Sequence, residues 1–436
     1  MMTHRIYPTK PLECWQKVKE LRLNHYKEVI TARDQGKIVV QGGANAILSL
    51  IAGLGDFVFL GGEPYGASVG FDPAFSEQCA MATEAKGFAR DLCAYMRNYL
   101  GSMFLDRYYF GGKFPKPDFC ISTHICDTHA KWFQIVGEHF GTPHIAIDYP
   151  ISTTYRRKEQ KIEYLASQMH ECIEEMEKLT GCYYDDEKLI EAARNEFKTM
   201  SLWGEICLLN QSIPAPLDQK SMLSLYVLPL QTRHQNETVQ FYELLRDEVK
   251  ERVENQIAAV ATERFRYIDD SQPPWYYLKI FRYLERYGAV SVGSYYSFLL
   301  MGMMEEKGGT WVVKKTPEES GIVFKSRDDV LRALAQWYLE RSVLCMLLNP
   351  HEKSTQMISM VQQWHAKAVI MHLNRGCEGT AMGQLENRLA LIKAGIPVLT
   401  FESNMADRRE FDETQILDRL DAFMQSQGLR KLDDLG

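Results

Sequence analysis

Short runs rich in β-branched and aromatic residues alternate with longer stretches of helical period, and the alternation occurs twice along the chain. Strands separated by helix-length connections cannot pair as hairpins, so the pattern predicts parallel sheets with crossover helices. In the first half, strands are expected at Lys37–Gln41, Asp56–Leu60, Asp118–Thr123 and His144–Asp148, with helices around Pro11–Arg33, Pro73–Leu100 and Asp127–Phe140. Thr153 to Asn210 is charge-rich with a 3.6-residue period, and predicts a pair of helices ending before the Pro214-Ala215-Pro216 break. The alternation then resumes, with strands expected at Leu223–Leu228, Ala289–Val292, Ala368–Leu373 and Pro397–Phe401. Helices are expected at Trp275–Arg286, Val330–Leu348 and Met382–Ala394. The fold class is therefore α/β: two doubly wound, Rossmann- or flavodoxin-like lobes joined by a helical segment. The expected division is 1–152 for the first lobe with its N-terminal helix, 153–216 for the connector and 217–436 for the second lobe.

At 436 residues the chain exceeds a usual single domain, and 45% hydrophobic with 25% charged residues is an ordinary globular balance. A net charge of −7 argues against a surface built for nucleic acid, which needs clustered Lys and Arg. Met1 to Glu20 holds no apolar stretch of signal-peptide length. The longest uncharged run, Tyr287 to Met304, is diluted by Gly288, Ser291, Gly293, Ser294 and Ser297, and reads as a strand, a turn and a buried helix rather than a membrane span. A cytoplasmic protein without membrane partners is expected.

Ten cysteines are many for such a compartment, where a disulfide framework is not sustained. In open α/β sheets ligands bind beyond the carboxyl ends of strands. Cys126 follows the strand Asp118–Thr123 and Cys377 follows Ala368–Leu373, each just before a helix. Cys93 shares the arrangement if Asp91 opens a new turn; otherwise Pro73 to Leu100 is one continuous helix, with Cys79 and Cys93 ~21 Å apart along it. A thiolate near a helix N-terminus is stabilised by exposed amide donors, a setting that suits an anionic 4Fe–4S cluster. Three thiolates would leave one iron open. Two other readings stay open: ordinary buried thiols, and a zinc site from Cys120, His124, Cys126 and His129, whose spacing lacks the usual paired form.

At these residues the sequence resembles the family of 2-hydroxyacyl-CoA dehydratase and class I benzoyl-CoA reductase subunits. The resemblance rests on Asp91-Leu-Cys-Ala-Tyr-Met-Arg97 with Gly101, on Pro117-Asp-Phe through Cys126-Asp127 with Gly141-Thr-Pro and Asp148-Tyr-Pro150, and on His372-Leu-Asn-Arg-Gly-Cys377 with Gly395-Ile-Pro-Val-Leu399, Phe401-Glu402 and Asp407. It spans roughly residues 36–425. Gly53-Leu-Gly55, Gly62-Glu-Pro-Tyr-Gly-Ala67, Cys126-Asp-Thr-His-Ala-Lys-Trp132 and Pro273-Pro-Trp275 look most like a cluster-bearing subunit of benzoyl-CoA reductase, and Gly42-Gly-Ala-Asn45 stands where many dehydratase subunits have Pro-Glu.

The resemblance implies a 4Fe–4S cluster on Cys93, Cys126 and Cys377. It also implies a related second cluster-bearing subunit and two ATPase (activator) subunits that carry ATP, Mg and a bridging 4Fe–4S cluster. Ferredoxin would be the electron donor, and benzoyl-CoA would be reduced to a cyclic dienoyl-CoA. The alternatives are a subunit of a 2-hydroxyacyl-CoA dehydratase and a non-catalytic scaffold or cluster carrier. Ring reduction needs a proton donor, for which His124, Asp127, His129 and Glu402 lie at strand ends beside the cysteines. For the CoA thioester, the aromatic run Tyr108-Tyr-Phe with Lys113 and Lys116, and the glycine-rich Gly61 to Gly66, are candidate contacts.

Overall fold

The computed structural model describes residues 5–150, 158–341 and 349–435. It contains two four-stranded, all-parallel sheets. The first is ordered β2-β1-β3-β4, from β1 (Ile38–Gly42), β2 (Phe57–Gly61), β3 (Phe119–His124) and β4 (His144–Asp148). The second, ordered β10-β9-β5-β6, uses β5 (Phe265–Asp270), β6 (Ala289–Ser294), β9 (Ala368–Asn374) and β10 (Val398–Ser403). A short antiparallel ribbon, β7 (Met304–Lys307) with β8 (Thr310–Val313), stands apart. Two α/β lobes are thus present, as the alternation predicts.

Each sheet has the same topology: the chain steps from one central strand to an edge, then returns to the far side of its starting point. The switch points lie between β1 and β3 in one sheet and between β5 and β9 in the other. Crevices open at the carboxyl ends of strands at such places.

The paired helices Lys158–Thr180 and Asp186–Leu209 follow the first sheet, the second started by Asp185, whose side chain accepts from the backbone of Glu187 and Lys188. Residues 153–157 of the expected helical span lie outside the described residues. The helix Arg327–Leu339 packs on both members of this pair, and its residues share a core with β1, β2 and β3. The expected extension of that helix to Leu348 enters residues 342–348, outside the described residues, as does Cys345.

Two expectations need correction. Pro73 to Leu100 is not one helix: it breaks into Pro73–Glu84 and Ala94–Phe104, so Cys93 stands at the start of the second. Leu223–Leu228 is not a strand, because Asp218 accepts from the backbone N–H of Ser221 at 2.8 Å and starts the helix Gln219–Leu225. The strand in that part of the chain is β5, Phe265-Arg-Tyr-Ile-Asp-Asp270, whose polarity conceals it. Arg266 donates to the carbonyls of Trp364, Ser212 and Asn210, Asp269 accepts from Ser291, and Asp270 pairs with Lys353 at 2.8 Å. Each of these three buried side chains thus has at least one partner and sits in a central strand.

The two lobes meet along one seam. Arg97, on the helix after Cys93, pairs with Asp407 at 3.0 Å, and Ser76 donates to the carbonyl of Ala406 at 2.8 Å. No helix among the described residues is long and apolar enough to cross a membrane.

Candidate functional site

The turns at the two switch points line one cavity of about 830 Å³. Cys93, Cys126 and Cys377 all line it. Each is the residue preceding a helix: Ala94–Phe104, Asp127–Phe140 and Glu378–Ala381 respectively. Backbone N–H groups of Tyr95 and Met96 reach the Cys93 sulfur, and that of His129 reaches Cys126. Burial, with Cys377 nearby, nevertheless pushes the Cys93 thiol up to about 12, and burial also raises Cys126. In the protein alone burial thus favours the thiol form of Cys93 and Cys126, and a cationic centre beside them would make their thiolates tenable.

Backbone geometry holds the cysteine turns together. Gly376 has φ +74°, and a Cβ there would come within 2.8 Å of the carbonyl oxygens of Asp91 and Leu92. The turn carrying Cys377 therefore rests directly on the turn carrying Cys93, one from each lobe. Gln272, just after β5, donates from Nε2 to the Cys377 sulfur at 3.4 Å. Its carbonyl oxygen accepts from Asn374 at 2.9 Å and from Thr380 at 3.0 Å, which fixes the amide with its NH2 toward the sulfur.

Beside the sulfurs sits a pair, buried His129 and largely buried Glu63. His129 Nε2 lies 2.6 Å from Glu63 Oε1, and the Ala44 N–H donates to Oε2 at 2.7 Å. Burial opposes both charges, yet the partner's charge and hydrogen bond prevail: Glu63 is lowered and His129 raised. Gly43 makes room for the imidazole, since a Cβ there would lie 2.7 Å from its Nδ1. Around the pair stand Tyr95, Trp132, Tyr226, Trp275 and Tyr296. Trp132 Nε1 and Asn45 Oδ1, both on buried side chains of the cavity wall, have no hydrogen-bond partner in the protein.

Of the four acid candidates, only His129 lines this cavity. It is buried rather than turned to solvent. His124 is half-exposed and bonds to Asp148 at 3.1 Å. Asp127 is an exposed first-turn residue whose helix is preceded by Cys126, so it does not cap that helix. Glu402 is exposed and pairs with Arg375 at 2.6 Å.

The zinc arrangement does not form. Cys120 is buried beside Thr142, His124 turns to Asp148 and His129 to Glu63. Among the described residues no three His, Cys, Asp or Glu side chains are grouped to hold a single metal ion. The Tyr108 run is core, with the Tyr108 ring stacked on Tyr65 at 5.2 Å, while Lys113 is exposed beside Asp106. Glycine-rich Gly61 to Gly66 does contribute to the cavity, through Glu63 and Pro64. Glu63 escaped the sequence reading, although it opens the helix after β2 just as Cys126 precedes the helix after β3. No sequence signal marked Gln272, Tyr226 or Tyr296.

Comparison with known proteins bears on this geometry. The chain is 24% identical over 415 residues to the (R)-phenyllactyl-CoA dehydratase alpha subunit of Clostridium sporogenes, covering 92% of this chain and 94% of that protein. To the (R)-2-hydroxyisocaproyl-CoA dehydratase alpha subunit of Clostridioides difficile it is 23% identical, covering 95% and 96%. A benzoyl-CoA reductase subunit of Thauera aromatica is 22% identical, with 79% and 78% covered. The model of the family described as 2-hydroxyglutaryl-CoA dehydratase, D-component, matches residues 57–426, a span that holds all three cavity cysteines and both parallel sheets but for β1, and the chain belongs to that family.

Proposed function

We propose that this chain is the alpha-type subunit of a 2-hydroxyacyl-CoA dehydratase and holds a 4Fe–4S cluster on Cys93, Cys126 and Cys377. The carrying observation is that three cysteines from three separate turns, two in one lobe and one in the other, line one cavity with a largely buried carboxylate–imidazole pair. On the sequence alone the dehydratase stands second to benzoyl-CoA reductase. The family match and the two dehydratase relatives favour it.

The donor set suits a cluster. Sulfur ligands select iron–sulfur groups, amide donors reach two of the sulfurs, and Gln272 reaches the third. When bound, such a cluster supplies an iron with one open position and a route for a single electron. The remaining work falls to the chain. Glu63, kept ionised by His129, is the largely buried carboxylate of the cavity wall and accepts a proton from the bound acyl group at Oε1 or Oε2. His129, held by Glu63 and given room by Gly43, orients that carboxylate. The aromatic wall excludes water, which strengthens every charge interaction inside. Partners follow from the same reading: a second related subunit and an ATP-hydrolysing activator.

A second reading, a benzoyl-CoA reductase subunit with ferredoxin as donor, is favoured by the aromatic lining and by the Thauera relative. The test is anaerobic co-purification with the neighbouring gene products, iron and sulfide analysis, and assay with ATP and a strong reductant. About four irons per chain on this subunit and conversion of a 2-hydroxyacyl-CoA to its enoyl-CoA are expected. Loss of benzoyl-CoA without such conversion would hand the assignment to the reductase, and an iron-free chain would leave only the scaffold.

A further inference from the structure

The family description and the relatives' names span acidic, aromatic and branched acyl groups, and identities of 22–24% do not choose among them. The cavity wall does. Its largest side chains are Tyr95, Trp132, Tyr226, Trp275 and Tyr296, joined by Leu230. The hydroxyls and indole N–H of four of these are spent on one another: Tyr226 donates to Tyr296 at 2.8 Å, and Trp275 Nε1 donates to Tyr95. What these four offer a bound acyl chain is ring surface, and the groups of the wall left without a partner, Trp132 Nε1 and Asn45 Oδ1, are uncharged. Among the described residues no lysine or arginine lines the cavity, and its charged members besides His129 are two carboxylates, Glu63 and Glu378. The His129 imidazole is already engaged by Glu63, with Nε2 2.6 Å from Oε1.

We infer that the acyl group this site takes is uncharged and bulky, with an aromatic or branched apolar side chain, and that an acyl group ending in a second carboxylate is rejected. This rests on the CoA-thioester dehydratase reading. A distal carboxylate would be stripped of water against the rings, would find no cation, and would lie in the same cavity as ionised Glu63. An unpaired buried charge is among the costliest things a site can hold, so discrimination of ~100-fold or more in kcat/KM is expected. A flat ring or a branched chain, by contrast, loses only its hydration and gains contact with the aromatic faces.

The experiment uses the anaerobically purified complex and compares phenyllactyl-CoA, 2-hydroxyisocaproyl-CoA and 2-hydroxyglutaryl-CoA, by initial rate and by competition binding. The two neutral thioesters should exceed the dicarboxylic one by the stated factor. Leu230→Arg, with Leu230→Gln as the uncharged control, should narrow the gap by ~10-fold or more by supplying the missing cation. If the Arg variant does not fold, the comparison on the natural protein decides alone. Equal or better use of 2-hydroxyglutaryl-CoA overturns the inference and leaves the dehydratase reading standing. Turnover of benzoyl-CoA with none of the three hydroxyacyl thioesters dehydrated overturns that reading but upholds a neutral aromatic pocket. Failure of every thioester to bind more tightly than free CoA overturns both.

Discussion

Glu63 and His129 show how two ionisable side chains can be kept charged in a cavity walled by aromatic rings. Neither is stable there alone, and the 2.6 Å contact reverses what burial would do to each. Glu63→Gln removes the carboxylate while keeping the shape. With iron content unchanged, turnover should fall by ~10²–10⁴, the usual contribution of a positioned acid or base. Turnover within a factor of about three of the natural protein would remove Glu63 from the proton path. Asp269, on β5, is a different case. It accepts from the Ser291 hydroxyl at 2.6 Å, but burial, with Asp270 adjacent, raises it to about 7. The folded protein therefore holds a proton that the unfolded chain releases near pH 4. Stability from this group is highest below pH 4, declines as pH rises to 7 and is flat above, by about 4 kcal/mol at most. Denaturant midpoints across that range should show the decline, and Asp269→Asn should abolish it. An unchanged slope in the variant would mean other groups set the pH dependence.

Seven of the eight strands in the parallel sheets follow directly from runs of apolar and β-branched residues. So does the placement of Cys126 and Cys377 at strand ends, because strand and helix periods differ and the boundary between them is local information. The central strand β5 was not legible. Its Arg266, Asp269 and Asp270 read as a loop until their partners arrive from residues up to 98 positions away. The break before Cys93 left the same ambiguity, and it is resolved only by the lobe-to-lobe contact at Gly376. That contact gives a test of how the elements meet. Gly376→Ala places a methyl 2.8 Å from two carbonyl oxygens in a left-handed backbone conformation, so the Cys377 turn must move off the Cys93 turn. Iron retained after anaerobic purification should drop to less than about half, with secondary structure by circular dichroism unchanged. Full iron content in this variant would mean that the two turns have slack, and that the close approach is not what sets the sulfur spacing.

For the molecule as a whole, the cysteines sit where two independently wound sheets present their switch points to each other. Each lobe supplies an incomplete site: Cys93 and Cys126 with Glu63 from one, Cys377 with Gln272 from the other. A cluster bound there would add a further link to those the protein itself makes between the lobes, among them Arg97–Asp407, Arg409–Glu84 and Ser76–Ala406. A ligand that binds only the closed arrangement stabilises it in proportion to its affinity. Anaerobic removal of iron by a chelator should therefore lower the melting temperature by about 5 °C or more. It should also raise amide exchange in 92–97, 125–130 and 375–381 while the strands of both sheets stay protected. Exchange confined to one lobe's turns would mean that only that lobe carries the metal. The seam would then be a packing contact, and the shared three-sulfur site would have to be abandoned.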